Sequence, residues 1–299
     1  MHVLRIAGLA ALAATLVWLF GFGGAVDVSR WASAGQEQAQ RALAGGLRAV
    51  RAGEPGAWLT LMGLCAAYGF FHAAGPGHGK LVIGGYGAAA RITARRLTGL
   101  AILSSVAQAL AAILLVTGGA WVLGWGRAQM TDAAEVVLAP ASYIAIGLVG
   151  VWLCLRGVRR LARAAPAPAQ HAHAHSDGVC DTCGHAHAPT AEQVQSITSW
   201  RDAAAIVGAI AMRPCTGAVF LLILCFGLGI PWAGVAGALV MGLGTASVTV
   251  LVAIAAVGAR QTLLDNWQGA GALRAVAVVE VVAGGLIALI AGTLVLPLI

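Results

Sequence analysis

From Leu97 to Val122 the chain carries no ionisable side chain, and runs like it recur along most of its length. The others extend from about Leu4 to Phe22, Trp58 to Ala90 with an interruption at 72–80, Val137 to Leu155, Ala203 to Leu228, Trp232 to Val257 and Ala275 to Leu296. About 20 helical residues cross the hydrocarbon core of a bilayer. Inside that core every backbone N–H and C=O must be satisfied by the protein, so runs of this length are read as helices. Composition agrees, with 60% hydrophobic and 10% charged residues, against about 25% charged in a soluble domain. The expected fold is an all-α polytopic membrane protein with about seven transmembrane helices. The 41 glycines suit close helix packing.

The net charge of +7 is concentrated in loops. Loops 91–96, 156–163 and 259–274 carry the arginines and fall on the side of Arg5, as the positive-inside rule asks. The charge therefore encodes topology and calls for no nucleic acid. The N-terminus and these loops are expected in the cytoplasm. Residues 1–25 are read as a retained helix or signal anchor, with cleavage near Gly23-Gly24-Ala25 as the alternative. Residues 26–56 are polar, and Leu43, Leu47 and Val50 mark one helical face. They predict a short amphipathic helix on the outer membrane surface, ended by Glu54-Pro55-Gly56. Cys65, Cys154 and Cys225 are expected to be small buried hydrophobes.

Two of the apolar runs are broken. His72-Ala73-Ala74-Gly75-Pro76-Gly77-His78-Gly79-Lys80 interrupts one, and Arg213-Pro214-Cys215-Thr216-Gly217 interrupts another. Proline removes a backbone donor and the glycines loosen the chain around it. After each break comes a span with small polar residues, Ser104, Ser105 and Gln108 in one case and Thr245, Ser247 and Thr249 in the other. One further span closes each unit. Residues 57–156 and 201–299 thus read as two inverted three-helix repeats. Paired broken helices in such halves point to a transporter's midplane site.

The ionisable residues at the breaks carry the chemistry. On an unbroken helix, His72 and His78 would face nearly opposite sides; the Gly-Pro-Gly break lets both imidazoles face one cavity. Neutral imidazole suits nickel, cobalt, zinc and copper rather than magnesium or calcium. The alternative is that the rings cap freed carbonyls. Cys215 offers a soft ligand at the second break, or is a thiol packed at a kink. Lys80 is either a gate or a side chain snorkelling to the interface. Arg213 either bonds open carbonyls or sets an electrostatic barrier. Gln108, Thr245 and Thr249 are pore-lining candidates, with helix–helix hydrogen bonding as the competing role.

Between the two halves, residues 157–200 form a Pro/Ala/His-rich segment expected to be disordered and cytoplasmic. His171, His173, His175, His185 and His187 with Cys180-x-x-Cys183 place five imidazoles and a thiol pair within 17 residues. That spacing marks a metal-binding tract.

The stretch Tyr68 to Lys80 resembles the first signature of the NicO family of nickel/cobalt transporters. Arg213 to Ala218 is similar to its second signature and Met241 to Ala246 to its third. Gln38 to Val50 is similar to the family's helix ahead of the first signature, and Gln108 stands where some members carry a histidine. The resemblance covers about residues 30–299 apart from the His-rich loop. It implies Ni2+ or Co2+ as transported substrate, no permanent cofactor and no enzymatic activity. It also implies a secondary mechanism, in keeping with the lack of a Walker A motif. Location in the inner membrane of a bacterium follows; homo-oligomerisation is left open. Efflux is favoured over an uptake permease, because a cytoplasmic chelating loop collects excess ion. A membrane thiol-disulfide carrier is the remaining alternative, and it lacks a second cysteine at the first break.

Overall fold

The computed structural model describes residues 14–15, 17–19, 21–75, 78–89, 92–163, 200–264 and 270–298. These fold as α1 (Gly24–Ala52), α2 (Ala57–Ala74), α3 (His78–Ala89), α4 (Ala94–Trp121), α5 (Arg127–Asp132), a π-helical segment (Ala133–Leu138) and α6 (Ala139–Arg163). After the His-rich segment come α7 (Trp200–Ala211), α8 (Thr216–Gly227), α9 (Pro231–Leu264) and α10 (Ala270–Val295). No strand occurs among the described residues. Five helical stretches among them are long and apolar enough to cross a membrane, and α7 with α8, bent by 58° at their break, make a sixth. The chain is an all-α, multi-pass membrane protein. The expected N-terminal span, Leu4 to Phe22, lies largely outside the described residues, as does the whole of 164–199.

The helices pack in a reciprocal pattern. Gly69 of α2 meets the Met241 carbonyl of α9, Gly84 of α3 meets Val252, and Gly87 meets Ala256. Position rises along both partners, so the broken helix α2–α3 runs parallel to the intact α9. Likewise Gln108 of α4 reaches Ile210 and Arg213, and Trp121 packs on Phe226. The broken helix α7–α8 therefore runs parallel to the intact α4. The first broken helix also contacts α10, and the second contacts α6. The most extensive contact in the molecule joins α6 to α10. There a Cβ on Gly150 would lie 2.7 Å from the Ala288 nitrogen and 2.8 Å from the Gly284 carbonyl, so only glycine admits this approach.

Leucine, isoleucine and valine side chains such as Leu114, Leu251, Val282 and Leu148 point outward, as lipid-facing surfaces require. Inside, two apolar clusters form. One gathers Leu43, Leu61, Tyr68, Val116, Leu221 and Met241; the other gathers Ile83, Leu97, Leu153, Ile206, Val257 and Ile287. Cys65 and Cys225 are buried, while Cys154 is half-buried, and all three are free thiols.

One local expectation is corrected. The segment that holds Asp27 is a single helix of 29 residues, Gly24–Ala52, and it pairs antiparallel with α2 rather than lying alone on a surface. Gly35 abuts Phe71, Gln36 donates from Nε2 to the Tyr68 hydroxyl at 3.2 Å, and Gly46 abuts Leu61. The stripe that does this continues back from Leu43 through Ala39 to Ala32, small residues that bury well against α2. Residues 127–135, between the apolar runs that end at Val122 and start at Val137, are helical and run through the π-helical segment into α6.

Candidate functional site

Each break leaves carbonyls without helical partners, and side chains take them up. α2 ends at Gly75, whose extended backbone turns the chain away. The Lys80 ammonium donates to the Ala74 carbonyl at 3.1 Å and to the Gly75 carbonyl. Thr245 Oγ1 of α9 donates to the Gly69 carbonyl at 3.2 Å. At the second break Pro214 brings no N–H. The Gln108 amide donates to the carbonyls of Ile210 and Arg213, each at 3.3 Å. In both breaks a nitrogen-bearing side chain closes the C-terminal end of the first half-helix, where the helix dipole favours a donor.

The two breaks meet. A cavity of about 260 Å³ is lined by His72, Lys80, Gln108, Arg213, Cys215, Thr245 and Thr249, together with Ser104, Ser105 and Thr216. That is far above the ~10–15 Å³ that holds one water. Apolar walls come from Ile83, Ala101 and Ile210, members of the second apolar cluster. Cys215 packs against the first. The Tyr68 ring ties the breaks together: it stacks on His72 with centroids 6.0 Å apart, and its edge fills the space beside Gly217. Any side chain at 217 would overlap it. The Arg213 guanidinium lies over the Tyr143 ring of α6 at 4.8 Å. Ser105 donates to the Ala101 carbonyl and touches Thr249 Oγ1 at 3.4 Å, joining α4 to α9.

Seven of the residues singled out in the sequence therefore border one space. His78 heads α3, but its side chain lies outside the described residues, as do Pro76 and Gly77. His171, His173, His175, Cys180, Cys183, His185 and His187 also lie outside them. Among the described residues no three His, Cys, Asp or Glu side chains gather into a metal-holding group. Those that line the cavity supply one imidazole and one thiol. Gln108, Thr245 and Lys80 all border the cavity and also spend donors on backbone carbonyls.

The sequence did not point to a second polar centre. Glu280 of α10 is 0% exposed. Its Oε1 accepts from Arg156 Nη2 at 2.9 Å and from Arg160 Nη1, both on α6. The Arg156 guanidinium also rests on Trp152 at 4.6 Å. The one available signal was a lone acid inside an apolar run, which calls for a cationic partner.

Comparison with known proteins bears on the first centre. The family model for NicO, described as a high-affinity nickel-transport protein, matches residues 58–177, which include the first broken helix. A Haemophilus influenzae protein named "Putative nickel/cobalt efflux system" is 27% identical over 256 residues, covering 81% of this chain and 76% of that one. No solved structure matches the chain. The signature stretch thus lies inside a match to the NicO family model, and the chain is similar to a protein named for nickel and cobalt efflux over most of its length.

Proposed function

We propose that this protein is a secondary transporter of divalent nickel and cobalt that carries the ion out of the cytoplasm through the cavity between its broken helices. Similarity to the NicO family model supports metal transport in general, and the relative's name favours the outward direction. One observation carries the reading: His72 from the first break and Cys215 from the second line the same cavity. His78 is the second nitrogen donor in this scheme. Imidazole and thiol ligands, completed by water, suit nickel and cobalt. A set this sparse binds selectively and still releases its ion, as conduction requires. Lys80 and Arg213 set the electrostatic barrier, and Gln108, Thr245 and Thr249 line the route.

Residues 57–156 and 201–299 act as inverted halves in this reading. The reciprocal packing of α2–α3 on α9 and of α7–α8 on α4 supports it. Ligand sites at the meeting of two discontinuous helices are the rule in transporters built this way. The His-rich segment gathers the ion on the cytoplasmic side of a bacterial inner membrane.

The test is metal accumulation in cells that express the intact chain, His72→Ala or His78→Ala. The intact chain is expected to lower cell nickel or cobalt, and each variant to return it to the level of cells without the protein. Higher metal with the intact chain reverses the direction. Equal metal in all strains removes the reading.

A further inference from the structure

Among the described residues the charge of the cavity is the wrong sign for a bare cation: Lys80 and Arg213 both line it, and no Asp or Glu does. The start of α8, at Cys215 and Thr216, borders it as well. A helix N-terminus adds positive partial charge. A divalent ion entering this space meets repulsion that the single imidazole and thiol described there do not offset.

A separate observation points to what relieves it. Ser104 is 3% exposed and lines the cavity on the same face of α4 as Ala101 and Gln108. Its neighbour Ser105 donates to the Ala101 carbonyl. Ser104 Oγ has no hydrogen-bond partner among the described residues. Buried hydroxyls in folded proteins are almost always satisfied, so one left over beside a cavity calls for a partner inside it, a water or an ion.

We propose that the cavity holds a small inorganic anion of the halide class, seated by the Ser104 hydroxyl, the Arg213 guanidinium and the first turn of α8. The donor set is what selects this class. One hydroxyl, one guanidinium already lying over an aromatic ring, and one helix end offer few donors. A phosphate or sulfate needs many more to replace its hydration. A halide needs positive potential and two or three donors. Bound there, it offsets the fixed charge and makes room electrostatically for the divalent ion. The inference shares its cavity with the transport reading but is tested without any metal, so each can fail alone.

The experiment uses the full chain, purified in detergent with a chelator present, and reads the excess line width of chloride-35 NMR. The intact protein is expected to broaden the chloride signal saturably, and added bromide to reverse the broadening. Ser104→Ala removes an otherwise unpartnered hydroxyl and leaves the fold intact. It is expected to weaken chloride binding at least about tenfold, the size of a lost hydrogen bond to a charged group. Arg213→Gln is expected to abolish it. Because Arg213 also packs on Tyr143, circular dichroism checks that this variant is folded, and Ser104→Ala decides the matter if it is not. Broadening that is absent in the intact protein, or unchanged in Ser104→Ala, overturns the proposal; the second result would mean an adventitious ion only.

Discussion

Glu280→Gln tests what holds α10 to α6. The carboxylate is fully enclosed in an apolar helix and bonds two arginines through one oxygen. Glutamine keeps the shape and an acceptor but removes the charge that both guanidinium groups face. Removing one partner of a buried ion pair costs about 3–5 kcal/mol. The two arginines are not equally committed. The Arg160 side chain is 42% exposed and regains water, whereas that of Arg156 is 21% exposed. Arg156 also keeps its contact with the Trp152 face, worth about 0.5–2 kcal/mol. Discounting for both, the loss is about 2–3 kcal/mol. At roughly 2–4 °C per kcal/mol for a chain of this size, the unfolding midpoint falls by about 4–12 °C. The assay is tryptophan fluorescence during a thermal ramp of the purified chain in detergent, at one fixed scan rate. Replacing Glu280, Arg156 and Arg160 together by methionine removes all three charges and is expected to recover most of the loss. A midpoint within 1 °C of the intact protein in Glu280→Gln would refute the assignment of this cluster as the lock between the two helices.

Two further changes probe the breaks and the packing that supports them. Gly69→Ala places a methyl group into the Met241 carbonyl and is expected to cost about 1–3 kcal/mol or more, read as loss of the monodisperse peak on size exclusion. Gln108→Ala leaves the Arg213 carbonyl without its side-chain donor, while Ile210 keeps the Arg213 N–H at 3.4 Å. The expected loss is about 1–3 kcal/mol, measured as a lower thermal midpoint in metal-free buffer.

How much of this was legible in the sequence depends on which physical signal each element sends. The long apolar runs announce spans because a bilayer imposes length and composition together, and Arg213-Pro214-Cys215 announces a break because proline forbids the helical hydrogen bond. Both are local signals. Residues 127–135 are helical although Asp132 and Glu135 suggest a loop, because the helix carries both on its exposed side. Ala32 and Ala39 hid among charged neighbours, so the buried face of α1 looked shorter than it is. Glu280 lies inside an apolar run, and its partners on α6 are more than a hundred positions away in the chain. Ser104 was visible only as one small polar residue among several; that it lacks a partner depends on rotamer and neighbours, which spacing does not encode. That His72 and Cys215 line one cavity is likewise a matter of how distant helices pack.

One consequence follows from the pairing of each cut helix with an uncut one that runs the same way. A continuous helix keeps its length, at about 1.5 Å per residue. Gly69, Gly84 and Gly87 seat both pieces of the first cut helix on α9 at fixed heights, against Met241, Val252 and Ala256. Seated so, the pieces cannot telescope past the gap. α9 and α4 therefore serve as rulers, and the gap they hold stays at one depth whichever way the pieces tilt.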